Sequence, residues 1–159
     1  MTLENILRVL AVFLPALATG ALLVNWIGLA RAMVRLSARA YTELHQATNR
    51  TFDPYMPIVV ISAALGGAVL AALSPGLRSL SGQVAMLGAL CYAATLPLSL
   101  TTNLRINKQV ASWSVENPPA DWSELRARWV RFHILRTLIS VPALLFCTIS
   151  ALLESGAET

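Results

Sequence analysis

The chain has 159 residues, of which 56% are hydrophobic and 13% charged, with a net charge of +4 and a mean hydropathy of +0.63. Soluble domains contain roughly 45–50% apolar and about 25% charged residues, so a soluble domain this small would have nowhere to bury so much apolar surface. The basic residues lie in two loops without a nucleic-acid-binding motif, and we expect no nucleic-acid partner. Length and composition predict one membrane-embedded domain.

Four apolar segments without charge, at residues 9–30, 55–77, 79–104 and 137–153, predict four transmembrane helices, because a spanning helix needs about 20 mostly apolar residues. We place these helices at residues 6–30, 55–73, 81–102 and 134–153. Short connections favour an antiparallel arrangement. The predicted fold is therefore all-α, an integral membrane four-helix bundle with helical extensions on the cytoplasmic side.

The distribution of charge predicts how these helices are oriented. Ten of the twelve Lys and Arg residues lie in segments 31–54 and 103–136, and only Arg8 and Arg78 lie on the opposite side. The positive-inside rule places both basic segments in the cytoplasm and both termini outside. Ala- and Arg-rich usage is typical of a bacterial inner membrane, and exposed arginines there are expected to contact anionic lipids.

The first basic segment is predicted to continue helix 1 until Asp53 and Pro54, because the residue before proline disfavours the α region. Asn25 is the one strongly polar residue inside helix 1. Tyr41 and His45 are four residues apart and should share a face of this extension.

Small residues in helix 2 predict close packing against its neighbours. They include Ala63, Gly66, Gly67, Ala68 and Ala71. Cys91 and Cys147 lie in the middle of apolar segments, where they too are interpreted as small packing residues, and no metal-binding spacing is present. Pro97 predicts a bend in helix 3 that neighbouring threonine hydroxyls can stabilise.

The segment from Asn117 to Arg136 is the most informative in the chain. Asp121 and Glu124 have the spacing of a helix capping box. Steps of 4, 3, 4 and 3 residues place five side chains on one helix face, namely Trp122, Arg126, Trp129, His133 and Arg136. Aromatic, cationic and titratable groups thus share a stripe at the membrane edge, which suits a flat, partly anionic ligand.

Each candidate group has two interpretations. His45 and His133 are either proton acceptors in catalysis or interfacial residues bonded to a carbonyl or water. Asn103 and Asn107 share a face, with Asn25 at similar depth, and stabilise either an oxyanion or the contact between helices. The tryptophans, Trp113 included, also fit an interfacial aromatic belt. The sequence contains no phosphate loop, HExxH, GxSxG or CxxC motif.

The runs TTNLRINKQVASW and PPADWSELRARWVRFHILRT resemble the anthrone oxygenase-like family of small four-helix membrane proteins. The matching positions are Asn103, Asn107, Trp113, Pro119, Asp121, Trp122, Arg126, Arg128, Trp129, His133 and Arg136, and AYTELHQATNRTFDPYMP resembles the segment before the family's second helix. The resemblance implies oxidation of a polyketide anthrone to an anthraquinone with O2 and without another cofactor.

The resemblance also implies roles for these residues. His133 or His45 would deprotonate the central CH2 of a flat, apolar aromatic substrate that enters from the bilayer. Asn103, Asn107 and Arg136 would stabilise the resulting oxyanion. The substrate would be bound by Trp122, Trp129, Arg126, Trp113, Tyr41 and Asn25.

Two other functions stay open. His45 and His133 from different helices are alternative ligands of haem or copper in a membrane redox protein. A non-catalytic small-molecule-binding or partner subunit is the third interpretation. The sequence leaves the oligomeric state open, a homo-oligomer included.

Overall fold

The computed structural model describes residues 2–53 and 55–156, and the regular structure of these residues is entirely helical. The helices are α1 (Leu3–Met33), α2 (Ala38–Phe52), α3 (Met56–Leu73), α4 (Leu80–Ala111) and α5 (Trp122–Ser155). All except α2 are long and apolar enough to cross a membrane. The predicted all-α membrane bundle is thereby confirmed.

The four long helices follow one another around the bundle in the order α1, α3, α4, α5. Arg8 in the first turns of α1 bonds to the carboxylate of Glu154 at the end of α5. It also donates to the carbonyl oxygen of Leu73, at the end of α3, over 3.1 Å. The start of α1 thus lies beside the ends of α3 and α5, and neighbouring helices are antiparallel. We call the opposite end of the bundle, which carries α2 and the loop 112–121, the basic end.

Small residues allow close contacts between the helices, as the sequence predicted. A Cβ atom on Gly67 of α3 would lie 2.8 Å from the Cα atom of Ala89 on α4. A Cβ atom on Gly88 of α4 would lie 2.8 Å from the Sγ atom of Cys147 on α5. Cys147 is fully buried and carries a free thiol. It fills the space beside a glycine, which agrees with a packing role.

The prediction that helix 1 continues through the first basic segment is wrong. The chain leaves the helix after Met33, and Ser37 caps a new helix by accepting a hydrogen bond from the N–H of Ala40 over 3.4 Å. This break lets α2 turn back and pack against the last turns of α4. Helix α2 ends at Phe52, close to the predicted end, while Pro54 lies outside the described residues.

Helices α4 and α5 continue beyond their predicted spans towards the basic end, which agrees with the predicted helical extensions. Helix α4 continues to Ala111, and α5 runs without a break from Trp122 to Ser155, so the stripe and the fourth span form one helix. Asp121 is the N-cap residue of α5, but its side chain makes no capping hydrogen bond. The predicted capping box is therefore wrong in its side-chain contact.

Candidate functional site

A cavity of about 210 Å³ lies at the basic end and is lined by residues of all five helices. Its walls are mainly apolar. The polar side chains in its lining are Asn25, Thr48, Asn49, Asp53, Ser99, Asn103, Asn107, Trp129 and Arg136. Drug-sized pockets have volumes of roughly 300–1,000 Å³, so this smaller cavity suits a compact ligand such as a few fused rings.

Two π-helical turns position polar groups at this cavity. One occupies Asn25–Ala30 in α1, and the other occupies Ser99–Asn103 in α4. Wide turns of this kind are rare inside α-helices and recur at functional sites, because they shift side chains away from the regular helical register. Asn25, Ser99 and Asn103 all reach the cavity from these turns. Pro97 precedes the second turn, and its carbonyl oxygen accepts a hydrogen bond from the hydroxyl of Thr101 over 2.7 Å. The bend expected at Pro97 stays a prediction.

The cavity opens between apolar side chains that also face outward. Phe52, Ile61 and Leu100 line the cavity and are 43%, 46% and 56% exposed. These residues come from α2, α3 and α4, so the opening lies on the side of the bundle rather than along its axis. An apolar rim on a membrane-spanning bundle faces lipid, and it therefore offers a lateral path to a ligand dissolved in the bilayer.

Arg136 brings a buried positive charge to the cavity wall. Its side chain donates to Nδ1 of His133 over 2.8 Å and to Oγ of Ser99 over 3.2 Å. The Nε atom has no partner among the described residues, and within that part of the chain Arg136 forms no ion pair. Asp53 is the one carboxylate in the described cavity lining that the charge of Arg136 acts on, but it is not in direct contact, and a buried charge without a contacting counterion is costly. The guanidinium therefore has donors left for an anionic group in the cavity.

Asn107 connects four side chains beside the cavity. Its Oδ1 accepts hydrogen bonds from the indole N–H of Trp129 over 2.7 Å and from Nε2 of His45 over 3.1 Å. Its Nδ2 donates to Oδ1 of Asp53 over 2.9 Å, and its carbonyl oxygen accepts Nδ2 of Asn49 over 3.3 Å. The orientation of the amide follows from the indole, which can only donate. Asn107 thus ties α2 and α5 to α4.

These bonds also determine the protonation of both histidines. His45 must donate from Nε2 to Asn107, so its Nδ1 carries the lone pair, and this atom has no partner among the described residues. His133 accepts at Nδ1 from Arg136 and donates from Nε2 to the carbonyl of Leu22 over 3.2 Å. Both imidazoles are neutral and fully buried, and neither lines the cavity. His133 has no free lone pair in this arrangement.

The two titratable groups that bond to the side chain of Asn107, His45 in α2 and Asp53 directly after α2, are both shifted towards their neutral forms. Burial lowers the pKa of His45 below its ordinary value, against the opposing hydrogen bond to Asn107. Burial raises the pKa of Asp53 above its ordinary value of 3.8, although the hydrogen bond from Asn107 and the charge of Arg136 both act to lower it. Shifted groups of this kind concentrate at functional sites.

Four of the predicted binding residues form a separate cluster outside the cavity. The guanidinium of Arg126 lies 4.6 Å from the ring centre of Trp122 and 5.9 Å from that of Tyr41, and the ring of Trp113 is 6.4 Å from that of Tyr41. Arg126 also donates to the carbonyl oxygen atoms of Met33 and Leu36, at the break after α1. These contacts hold α2 against α4 and α5, and a substrate-binding role for the four residues stays a prediction.

Trp129 lies between the two histidines. Its indole stacks on His133 with an interplanar angle of 2° and meets His45 edge-on, each at 5.2 Å between ring centres. The two imidazoles are thus separated by an indole, and His133 already uses both of its nitrogen atoms. A haem or copper site on His45 and His133 stays a prediction, which this arrangement of the rings does not favour.

The site prediction missed four polar residues of the cavity, Thr48, Asn49, Asp53 and Ser99, and Asp53 is the one among them that can be ionised. The sequence does contain a signal, because Asp53 is an ionisable residue two positions before the second predicted transmembrane segment. What the sequence does not indicate is that α2 turns back and brings Asp53 to Asn107, which is 54 residues away along the chain.

Fold and cavity together define a small membrane protein with a buried guanidinium at a pocket open to lipid. The model of the anthrone oxygenase family matches residues 45–146, which is more than half of the chain. The chain therefore belongs to the anthrone oxygenase family, and the resemblance seen in the sequence is confirmed. No significant match to a curated protein or to a solved structure was found. The matched region contains every lining residue of the cavity except Asn25 and Leu29.

Proposed function

We propose that this protein is a membrane oxygenase that uses O2 to convert a flat, apolar, anthrone-like substrate to a quinone. Membership of the anthrone oxygenase family supports this proposal. The observation that carries it is Arg136, whose buried guanidinium faces an apolar cavity with unused donors. A substrate that is neutral when it enters and anionic when it reacts matches such a site, because the charge is stabilised only as it develops.

The substrate reaches the cavity from the lipid. A fused-ring ketone partitions into the bilayer and passes the rim formed by Phe52, Ile61 and Leu100. The apolar walls then bury its rings. We assign the basic end, where the cavity lies, to the cytoplasmic side of the membrane, because both basic loops belong to that end.

The reaction starts with the loss of a proton from the CH2 group opposite the substrate carbonyl. The negative charge moves to the carbonyl oxygen, where Arg136 and the amide of Asn103 stabilise it. Asn103 is held in place by donating from Nδ2 to the carbonyl oxygen of Trp129 over 3.0 Å. Asn25 also lines the cavity, and its Nδ2 is the atom that can donate to the oxygen anion.

The oxygen step needs no electron donor other than the substrate. The carbanion gives one electron to O2, and the two radicals combine to form a C–O bond and a peroxide. The O–O bond then breaks while the second proton of the original CH2 group leaves, which releases water and forms the new carbonyl. One oxygen atom enters the quinone and the other leaves as water, so O2 is the one co-substrate.

The two histidines act mainly as positioning residues in this scheme. His133 orients Arg136 through Nδ1, and His45 holds the Oδ1 side of Asn107. Their direct role as bases stays a prediction. His133 would first have to release Arg136, and His45 would have to reach the substrate from outside the cavity lining.

The test is isotopic. Purified protein in lipid nanodiscs is given anthrone and ¹⁸O2, with protein-free nanodiscs to measure autoxidation. We expect O2 uptake above that background, with one O2 molecule consumed for each quinone formed. The quinone should carry a single ¹⁸O atom at the former CH2 carbon. Anthrone oxidation at the background rate, or label arriving from water instead of O2, would contradict the proposal.

A further inference from the structure

We infer that Asp53 is the proton acceptor of this reaction, an inference that rests on the function proposed above. Asp53 supplies the one carboxylate among the described residues that line the cavity. A general base must reach the proton that it removes, and for exchange of that proton with solvent it must also reach water. The position of Asp53 meets both requirements.

Asp53 and Asn49 line both the cavity and a second, more open pocket, whose lining includes four polar side chains. This pocket has a volume of about 310 Å³ and is lined by Gln46, Asn49, Arg50, Asp53 and Ala111. Arg50 and Ala111 are exposed, and α2 lies outside the four candidate membrane spans. One side of the carboxyl group therefore faces the substrate cavity and the other faces a polar space at the basic end, where water exchanges protons.

Asn107 fixes the orientation of this carboxyl group. Its Nδ2 donates to Oδ1 of Asp53, while its Oδ1 is held by Trp129 and His45. Because all three contacts come from buried or partly buried groups, the amide cannot rotate without losing them. A base held by an oriented hydrogen-bond donor is preorganised for proton transfer.

The charges around Asp53 favour transfer of a proton from carbon. The charged groups that face it are Arg136 on α5 and Arg50 on its own helix, while His45 on α2 is neutral, and Asn107 on α4 and Asn25 on α1 carry no charge. When Asp53 takes the proton, the negative charge moves from its carboxylate to the substrate oxygen beside Arg136. The net charge of the cavity stays constant, so the reaction avoids the cost of creating a new charge in an apolar site.

The protons balance within one turnover. Asp53 takes the first proton from the CH2 carbon and gives it to the peroxide that forms after the C–O bond. It then takes the second proton from the same carbon while the O–O bond of the hydroperoxide breaks and releases hydroxide. Asp53 passes this second proton to the hydroxide, which leaves as water. Asp53 ends each cycle as the carboxylate from which it began.

Anaerobic exchange of hydrogen for deuterium isolates this proton transfer from the oxygen step. Full-length protein in nanodiscs and D2O is mixed with anthrone without O2, and label at the CH2 carbon is followed by mass spectrometry. General acid–base catalysis contributes about 10²–10⁴-fold, so Asp53→Asn should slow the catalysed exchange by about that factor. Asp121→Asn makes the same chemical change at an exposed residue without a side-chain capping bond, and should leave exchange unchanged.

Binding of anthraquinone, measured by quenching of tryptophan fluorescence, shows whether the cavity of Asp53→Asn is intact. If this variant does not fold, the pH profile of the wild-type chain decides. Exchange should rise with pH through the pKa of Asp53, above 3.8, and then level off, because only the carboxylate accepts a proton. A profile without this rise would overturn the inference.

The outcomes separate the two proposals. Wild-type O2 uptake together with unimpaired exchange in Asp53→Asn overturns the role of Asp53 and leaves the oxygenase proposal standing. Loss of exchange in His45→Gln but not in Asp53→Asn also overturns it, in favour of the histidine. Wild-type exchange without O2 uptake supports Asp53 as a base and contradicts the oxygenase, whereas absence of both activities overturns both proposals.

Discussion

Replacing Asn107 with leucine should strongly destabilise the bundle, because one amide serves three neighbouring side chains. Leucine has a similar size but no polar atoms, so the indole N–H of Trp129 and the Nε2–H of His45 both lose their acceptor. Trp129 is 5% exposed and His45 is fully buried, so bulk water does not reach these two donors. The bond from Asn107 to Asp53 is lost as well.

Two estimates give the expected loss of stability in Asn107→Leu. A buried donor left without an acceptor costs about 1–3 kcal/mol, which gives about 2–6 kcal/mol for the two donors. Hydrogen bonds between membrane helices contribute on average about 0.6 kcal/mol each, so three such bonds give about 2 kcal/mol. We therefore expect the free energy of unfolding to fall by about 2–6 kcal/mol, and the larger values apply if the cavity stays dry.

Unfolding by SDS titration in mixed micelles, followed by tryptophan fluorescence, measures this change. Asn117→Leu is the matched control, since Asn117 is exposed in the loop before α5 and substitutions at such positions usually change stability by less than about 0.5 kcal/mol. A decrease below about 1 kcal/mol in Asn107→Leu would refute the reasoning, because the shared amide would then not hold the network together.

Three further outcomes are expected. Arg136→Met should lower kcat/KM for anthrone by about 10²–10³-fold in a steady-state O2 uptake assay, which is the usual cost of losing an oxyanion donor. The control Arg128→Met, on the exposed face of α5, should leave kcat/KM unchanged. Equal activity of the two variants would remove Arg136 from the mechanism. Gly67→Ala should destabilise the protein by about 1–3 kcal/mol, because the added Cβ atom would lie 2.8 Å from the backbone of Ala89. Gly20→Ala should not destabilise it, because no atom lies within 4 Å of the added Cβ atom. SDS unfolding of both variants distinguishes an effect of packing from a general effect of the substitution. Dialysis against a strong chelator should leave O2 uptake by the wild-type chain unchanged, and a loss restored by added copper or iron would instead support the metal alternative.

Much of the fold was predictable because its signals are local. Apolar segments long enough to span a bilayer identified four helices, and the spacing from Trp122 to Arg136 identified one face of α5. That face is indeed buried at Trp129, His133 and Arg136. The family resemblance rested on the runs TTNLRINKQVASW and PPADWSELRARWVRFHILRT, whose residues and spacing can be read along the chain.

The sequence pattern did not reveal the break at residues 34–37, because a helix that continues and a helix that restarts have the same spacing of apolar residues. That break decides the site. It lets α2 turn back, so that Asp53 meets Asn107 and borders the cavity with Arg136. The pairing of His133 with Arg136 left no lone pair free, which spacing alone cannot indicate.

By itself, then, the sequence determined where the spanning helices lie, that they suit a membrane, and which family the chain belongs to. These features follow from hydropathy, helical period and motif, which are properties of neighbouring residues. Which polar groups face the cavity, and which of them are already bonded to one another, was decided by the tertiary structure. The physical reason is that hydrogen-bond partners are chosen by distance and direction in space, and here those partners come from helices far apart in the chain.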